Sequence, residues 1–282
     1  MNKEHYIKNI LTRCATVLSK MKGKRVFVAG GTGFYGSWLV AVFEAAGIEV
    51  QWGARSNGWD ILDPSTYTEF QRNADFVINA AGKSDLAWGQ CAVMSFGPMR
   101  LFDAMEYGFG TMLQISSGAA SNGKTLYAAA KRVAEIALTG RAKIIRPFAT
   151  VGPGMGLDRS FAISTFIRQA REGKPLTVAP CIVRSFCHIE DMIVQILHVL
   201  VAGDFQPYDV GSDDAITMDE AARVISPNVV VSDQDFPSNA GISHYVPNLT
   251  RLLGLFKSQY DMFSISSREA IKDTVKYYKE NP

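Results

Sequence analysis

The most informative segment of the chain is Gly30-Gly31-Thr32-Gly33-Phe34-Tyr35-Gly36. It follows the apolar run 26–29, which is typical of a buried parallel strand, and it precedes a helical pattern over 37–46. Glycines at these spacings allow a tight turn, close approach of the backbone to a pyrophosphate, and close packing of helix on strand. The helix N-terminus would supply N–H groups and a positive dipole to phosphates. The segment therefore predicts a dinucleotide-binding turn rather than an ordinary glycine-rich turn, and all its residues are candidate cofactor contacts.

Strand and helix patterns alternate along the chain around this turn. The predicted strands are 26–29, 49–53, 76–79, 112–115, 143–145 and 208–210. The predicted helices are 37–46, 93–107, 126–138, 161–172 and 191–202. Such alternation predicts βαβ units, and thus an α/β fold with a doubly wound parallel sheet of the Rossmann type.

The flanking segments predict further parts. Apolar residues recur at helical spacing over 5–21, so we expect an N-terminal helical extension over 1–22. Such a helix can pack on its own subunit or act as a dimer arm. The dinucleotide-binding domain is predicted over 23–150, with 187–210 returning to it. A smaller C-terminal substrate-binding lobe is predicted over 151–186 and 211–282.

Composition excludes several classes of protein. The chain has 282 residues, 47% of them hydrophobic, and 29 basic against 27 acidic residues give a net charge of +2. This is a globular composition without the basic stripe of a nucleic-acid-binding protein. The four cysteines form no zinc-ligand pattern, so no metal site is expected. With no apolar run long enough to span a bilayer and no secretory segment, a cytoplasmic protein without membrane partners is expected.

The end of the second strand bears on cofactor choice. NAD-binding folds usually carry an acid there that binds the ribose 2′-hydroxyl, whereas this chain has Arg55 and Ser56. A guanidinium matches a 2′-phosphate in charge and geometry, which favours NADP(H) over NAD(H). Alternatively, Arg55 stacks on the adenine without a phosphate contact. Asp60 and Ile61 are candidates for the adenine edge, although Asp60 can also be a turn acid.

The second chemical pattern is Tyr127-Ala-Ala-Ala-Lys131 on a predicted helix. Residues four apart share a helix face, so the Lys131 ammonium lies near the Tyr127 hydroxyl. A nearby cation lowers a tyrosine pKa, which makes Tyr127 a plausible general acid for a ketone. Ser116 and Ser117 end the preceding strand at the edge where ligands bind, and one of these hydroxyls can hydrogen-bond a carbonyl oxygen. The other would be a turn residue.

A third segment follows the 76–79 strand. Ala80, Ala81 and Gly82 lie beside the predicted nicotinamide site and are candidate cofactor contacts. Ser84 is a candidate substrate contact, with a solvated loop as the alternative.

Together these motifs resemble the extended short-chain dehydrogenase/reductase family of NAD(P)-dependent epimerases and dehydratases over about residues 23–280. The segment from Arg184 to Asp191 adds to the similarity. The resemblance implies a catalytic Ser-Tyr-Lys set, mapping to Ser117, Tyr127 and Lys131, with Ser116 as the alternative serine. It also implies a nucleoside-diphosphate-sugar substrate, phosphate contacts from Arg184, and a homodimer.

Departures from the family pattern narrow the expected reaction. Gly118 and Ala119 stand where 4,6-dehydratases of the family carry an acidic pair. The segment between Ser117 and Tyr127 is shorter than in 4-epimerases and is similar to that of abequose-synthase-like 4-ketoreductases. We therefore expect NADP(H)-dependent reduction of a keto group on a nucleotide sugar. The alternatives are a nucleotide-sugar 4-epimerase and a non-catalytic NADP-sensing module.

Overall fold

The computed structural model describes residues 3–82, 88–105, 110–157, 161–179, 181–232, 244–257 and 262–281. Within these ranges the strands are β1 Arg25–Ala29, β2 Glu49–Gly53, β3 Phe76–Asn79, β4 Thr111–Ile115, β5 Lys143–Pro147, β6 Thr150–Val151, β7 Leu176–Val178, β8 Val183–Ser185, β9 Cys187–His188, β10 Tyr208–Val210, β11 Ala215–Thr217, β12 Val229–Val231 and β13 His244–Tyr245. The helices are α1 Glu4–Arg13, α2 Ala15–Ser19, α3 Phe34–Ala45, α4 Glu69–Arg72, α5 Trp88–Ser95, α6 Gly97–Asp103, α7 Ala119–Asn122, α8 Leu126–Leu138, α9 Ala162–Arg171, α10 Ile189–Ala202, α11 Met218–Ile225, α12 Thr250–Leu253 and α13 Ser267–Glu280.

A parallel sheet forms the centre of the molecule. Its strand order is β10-β5-β4-β3-β1-β2, and every neighbouring pair is parallel. The chain therefore leaves β1 for β2 on one side and returns to β3 on the other. Ligands of such sheets bind outside the carboxyl ends of the strands at this switch point. The predicted Rossmann-type α/β fold is confirmed.

Apolar side chains cover both faces of this sheet because successive strand residues point to opposite sides. Val26, Val28 and Ile78 face one core, which includes Trp38 of α3. Phe27 and Val77 belong to the other core, together with Leu101 of α6 and Leu138 of α8. The sheet is thus buried on both sides, as expected for a parallel sheet, and its polar ligands must approach from an edge.

The structure corrects two predicted helices. The segment 5–21 forms two helices that meet at the buried Cys14 instead of one, and both pack against α10 of the same chain. The segment 93–107 is divided at Phe96 into α5 and α6. Pro98, in the first turn of α6, has no N–H that could donate to a carbonyl of α5, so a single helix cannot continue through it. Apolar periodicity continues across both breaks, which is why the sequence predicted single helices.

A third apolar core lies beyond the central sheet. It joins α9, α11 and α13 to short strands of the C-terminal region. One of its sheets has the order β11-β8-β13, in which β8 is antiparallel to β11 and parallel to β13. In the described part of the chain, no helix is both long and apolar enough to cross a bilayer.

Candidate active site

The glycine turn is built as the sequence predicts, but α3 begins earlier than expected, at Phe34. Gly30 has a φ of 82°, and a Cβ there would lie 2.8 Å from the backbone of Ala80. A Cβ on Gly36 would lie 2.1 Å from the Gly30 oxygen. Only glycine fits at these two positions, so no side chain covers the start of α3. The N–H groups of its first turn are therefore accessible to a ligand. This cradle fits a dinucleotide pyrophosphate.

Arg55 and Ser56 lie beside this turn. Both are exposed in a short 3-10 turn that follows β2. The Gly30 N–H donates to the Gly53 carbonyl at the end of β2 over 2.7 Å, which brings the two segments together. Arg55 therefore lies close to the glycine turn, and its contact with the adenosine end of a dinucleotide stays a prediction.

Asp60 and Ile61 are used within their own segment. An Asp60 carboxylate oxygen accepts a hydrogen bond from the Leu62 N–H over 2.8 Å, as a turn acid does. Ile61 is buried and packs against Gly97 of α6. A contact of either residue with adenine stays a prediction.

The loop after β3 connects the glycine turn with the Tyr-Lys pair. The Ala80 N–H donates to the Ala29 carbonyl over 2.9 Å, and the Ala81 N–H donates to the Asn79 side chain over 3.1 Å. Gly82 has a φ of 135°, and a Cβ there would lie 3.9 Å from Lys131 Nζ. These residues lie between the glycine turn and Lys131, and their contact with a cofactor stays a prediction. Ser84, the candidate substrate contact, lies outside the described residues.

Tyr127 and Lys131 occupy the first two turns of α8, which has the predicted bounds. The Thr125 side chain caps the helix by accepting from the Ala128 N–H. Lys131 Nζ lies 6.0 Å from the centre of the Tyr127 ring and donates to the Ile115 carbonyl over 2.9 Å. Burial lowers the pKa of Lys131 to about 8, because desolvation disfavours the ammonium form. The structure thus brings a cation and a phenol together at the end of β4.

The two serines after β4 face different partners. Ser116 Oγ donates to Glu135 over 2.5 Å, and Glu135 also binds the Arg146 guanidinium. Ser117 Oγ accepts from the Ala119 N–H over 3.2 Å, and Ser117 lies close enough to Tyr245 to lower the pKa of that tyrosine. Ser116 is therefore bound to the Glu135–Arg146 ion pair, whereas Ser117 lies close to Tyr245.

Tyr245 is a residue of the site to which sequence analysis gave no role. It comes from β13, and its ring lies 4.5 Å from that of Phe148. A Cβ on Gly118 would lie 2.6 Å from the Phe148 ring and 2.7 Å from the Tyr245 hydroxyl oxygen. The two rings therefore occupy the space beside Ser117 in which an acidic side chain at position 118 would lie. The small residues Gly118 and Ala119 were the available signal that another side chain fills this place.

Tyr35 of the glycine turn also faces this centre. Its hydroxyl donates to Thr150 Oγ over 2.9 Å. Burial is the main cause of the raised pKa of Tyr35, and the neighbouring Tyr127 and Tyr245 raise it further. Tyr35, Tyr127 and Tyr245 are thus close enough to one another for their charges to interact.

Arg184 lies at the lobe side of the same centre. It is opposite Tyr245 in the β8–β13 pair, and its guanidinium carbon lies 5.5 Å from the centre of the Tyr245 ring. One of its nitrogens donates to the Val183 carbonyl over 2.8 Å. His188, by contrast, is buried between Asp273 and the first turn of α10 and is a structural residue.

The arrangement supports proton transfer to a carbonyl oxygen. It combines a phenol, a buried cation and a serine hydroxyl at the carboxyl edge of the sheet. The described residues contain no group of three or more His, Cys, Asp or Glu side chains placed to hold a metal ion.

Comparisons with known proteins show the family of the chain and agree with its fold. The family model "NAD dependent epimerase/dehydratase family" matches residues 26–211. UDP-glucuronic acid decarboxylase 3 of Arabidopsis thaliana is 32% identical over an alignment of 111 positions that covers 36% of this chain and 32% of that protein. The chain therefore matches about a third of the length of this curated relative.

Solved structures share the fold over nearly the whole chain. Epimerase Mth375 from Methanothermobacter thermautotrophicus has a TM-score of 0.81 at 20% identity, over 96% of both chains. RMD from Pseudomonas aeruginosa, solved in complex with NADPH, has a TM-score of 0.76 at 21% identity, over 92% of this chain and 100% of that one.

Proposed function

Because the chain belongs to the NAD dependent epimerase/dehydratase family, we propose that it is an NADPH-dependent reductase of a keto group on a nucleoside-diphosphate sugar. The observation that carries the proposal is the packing beside Ser117. Phe148 and Tyr245 fill the place next to Gly118, and the sequence has no carboxylate between Ser117 and Tyr127. Dehydration requires an additional acid and base at the sugar, whereas reduction requires one proton donor.

The residues of the glycine turn fit a bound dinucleotide, which would supply the hydride. Gly30 to Gly36 would hold its pyrophosphate, and Ala80 to Gly82 would line the path to the nicotinamide. Arg55, with Ser56, would bind a 2′-phosphate, which supports NADPH over NADH. The NADPH bound to RMD, a protein of the same fold, is compatible with this choice.

The chain's own residues would handle the proton. Ser117 donates a hydrogen bond to the sugar carbonyl oxygen and fixes its position. Tyr127 gives its hydroxyl proton to that oxygen as the alcohol forms. Lys131, held by the Ile115 carbonyl, stabilises the tyrosinate that remains and binds the ribose of the cofactor.

The substrate would bind between the central sheet and the C-terminal lobe, 151–186 and 211–282. Arg184 is the proposed contact of the diphosphate, because a guanidinium suits phosphate oxygens and its neighbour Tyr245 reaches Ser117. The similarity to UDP-glucuronic acid decarboxylase 3, whose name specifies a nucleotide sugar, supports a nucleotide-sugar substrate.

The same residues could serve a 4-epimerase, so the test measures net cofactor consumption. Purified protein is incubated with NADPH and a panel of nucleoside-diphosphate 4-keto-6-deoxyhexoses, and NADPH oxidation is compared with the product formed. We expect equal amounts of NADP⁺ and reduced sugar. Sugar turnover without NADPH loss would instead identify an epimerase.

Matched variants connect the activity to the site. Tyr127→Phe should lower kcat about a thousandfold and leave NADPH binding intact, because only the proton donor is lost. Tyr208→Phe removes a buried hydroxyl that accepts from the Asp204 N–H, away from the site, and should keep full activity. Cofactor binding with no turnover on any sugar would favour an NADP-sensing module.

We also propose that the protein is a homodimer. Leu126, Val133 and Ile136 of α8 and the nearby Phe96 are large apolar residues with exposed side chains, and Ile136 is 69% exposed. A second copy would cover this face. Sedimentation should show a dimer for the wild type and a monomer for Ile136→Asp; a monomeric wild type would contradict the proposal.

A further inference from the structure

We propose that the N-terminal helix α1 is a clamp that holds the C-terminal lobe in position for substrate binding, with Arg13 and Tyr6 as its positioning residues. The helix lies outside the segment that the family model matches, which begins at residue 26. The contacts of α1 with the lobe stand without any assumption about the reaction. The consequence for substrate binding rests on the proposed function.

Arg13 joins three parts of the chain at the end of α1. Its guanidinium donates to Glu190 over 3.1 Å and to Asp191 over 2.6 Å, both in the first turn of α10. It also donates to Ser264 Oγ over 3.0 Å and to the Met262 carbonyl over 3.2 Å, in the segment that leads into α13. One side chain of α1 therefore holds the approach to α13 beside the start of α10.

The two carboxylates that Arg13 contacts are buried. The side chain of Asp191 is 0% exposed and that of Glu190 is 4% exposed. The backbone N–H groups of Ser264 and Ile265 cover Asp191 and donate to it over 3.2 and 3.1 Å. Two buried carboxylates without a cation need water, and water reaches them when the covering segment moves away. Arg13 thus keeps this segment docked on α10.

Tyr6 makes the second link, two helical turns before Arg13. Its hydroxyl donates to Asp273 of α13 over 2.6 Å, and His188 Nε2 lies 3.0 Å from the same carboxylate oxygen. The centre of the Tyr6 ring lies 5.9 Å from that of Trp38 in α3, the helix that follows the glycine turn. Tyr6 therefore connects α13 with the helix that begins at the proposed cofactor site.

The start of α13 lies next to the strand that carries Arg184. The Phe186 N–H, two residues after Arg184, donates to Ser267 Oγ in the first turn of α13 over 2.9 Å. Movement of α13 away from α1 would therefore shift the proposed diphosphate contact. Tyr127 and Lys131 lie on α8, away from this movement. Loosening α1 should thus weaken substrate binding and leave the proton donor in place.

The first test measures the clamp without turnover. Tyr6→Phe keeps the ring and removes only the hydrogen bond to Asp273. Amide hydrogen exchange in α13, measured without denaturant, should become about tenfold faster, the effect of one hydrogen bond on local opening. Tyr208→Phe removes a buried tyrosine hydroxyl outside the clamp and is the matched control, so it should leave exchange in α13 unchanged.

The second test separates substrate affinity from cofactor affinity. In Arg13→Gln, the dissociation constant of a nucleoside diphosphate, the tightest of UDP, CDP, dTDP and GDP, should rise about tenfold, because the lobe is docked in a smaller fraction of molecules. The dissociation constant of NADPH should stay unchanged, which also shows that the variant is folded. With a reducible sugar, KM should rise while kcat stays near that of the wild type. Arg13→Lys keeps the charge and should restore part of the affinity.

Each failure has its own signature. Unchanged exchange of α13 in Tyr6→Phe, or the same increase in Tyr208→Phe, overturns the clamp. Equal losses of NADPH and nucleoside diphosphate affinity in Arg13→Gln, or no loss of either, overturn the positioning role. If the wild-type protein binds no nucleoside diphosphate, the proposed function fails, while the exchange measurement still decides whether α1 holds the lobe.

Discussion

The site joins two regions that are built in different ways. The cofactor half consists of the glycine turn 30–36 with Ser117, Tyr127 and Lys131, all at the ends of β1 and β4 or on α8. The lobe half consists of Arg184 and Tyr245, which lie on β8 and β13 and are brought opposite each other by the pairing of these strands. Backbone groups hold the cofactor half, as when the Ile115 carbonyl accepts from Lys131. Ring contacts of Tyr245 with Phe148 and Arg184 hold the lobe half.

This difference separates chemistry from placement. The cofactor half buries Lys131 near the Tyr127 phenol and so contains the groups that we propose for proton transfer. The lobe half adds Tyr245, which lies close to Ser117, and Arg184, which we propose as a contact of the substrate. Substitutions in the cofactor half should therefore change how stability depends on the ionisation of Lys131. Substitutions where the two halves meet should change stability through side-chain packing.

The largest expected effect concerns the ionisation of Lys131 in the cofactor-free protein. Its pKa is about 8 in the folded chain, against 10.5 as the model value of an unperturbed lysine. Between these values the unfolded chain binds more protons, so the free energy of unfolding rises with pH. We expect this rise to amount to about 3 kcal/mol in the wild type and to be absent in Lys131→Met. Urea unfolding from pH 7.5 to 10.5 measures it.

Lys174→Met is the control for this prediction, because it removes the charge of a lysine that is 64% exposed. Its stability curve should run parallel to that of the wild type. If the curve of Lys131→Met is also parallel to that of the wild type, burial does not lower the pKa of Lys131. The proposed electrostatic difference between the two halves would then be wrong.

The same contrast explains what the sequence could predict. The cofactor half depends on neighbours along the chain, namely a glycine turn after a strand and a Tyr-Lys pair on one helix, so local patterns located it. The bounds of β2, β3, β10 and α8 were predicted for the same reason. Tyr245 meets Ser117 only through the pairing of strands of two or three residues, and no local pattern encodes that pairing. Likewise, the sequence did not predict the break between α5 and α6 at Phe96, because the apolar periodicity continues across it.

A smaller effect is expected where the two halves meet, at Gly118. In Gly118→Ala the added methyl group would overlap the Phe148 ring and the Tyr245 oxygen. We expect a loss of about 2 kcal/mol in the free energy of unfolding, the usual cost of overpacking. Phe148→Leu in the same chain should restore part of it, because the smaller side chain makes room. Urea unfolding of the double-mutant cycle measures the coupling.

Gly89→Ala is the matched control, since a Cβ there has nothing within 4 Å and the residue lies in α5. It should be neutral or slightly stabilising. If the effects of Gly118→Ala and Phe148→Leu on the free energy of unfolding are strictly additive, the two side chains are not in steric contact and the prediction is wrong.

The smallest effect tests the cofactor half at its exposed rim. Arg55 is exposed, so water weakens its electrostatic interactions. Replacing it should therefore reduce the free energy of binding by about the contribution of one charge-assisted hydrogen bond. In Arg55→Gln the dissociation constant of NADPH should rise about tenfold, equivalent to about 1.4 kcal/mol, while that of NADH stays unchanged. Fluorescence titration of both cofactors measures the difference, with the exposed Arg223→Gln in α11 as control. An equal loss for both cofactors would mean that Arg55 stacks on the adenine, and the 2′-phosphate argument for NADPH would fail. The sugar nucleotide should bind Arg55→Gln as it binds the wild type, because its proposed contacts, Arg184, Ser117 and Tyr127, do not include Arg55.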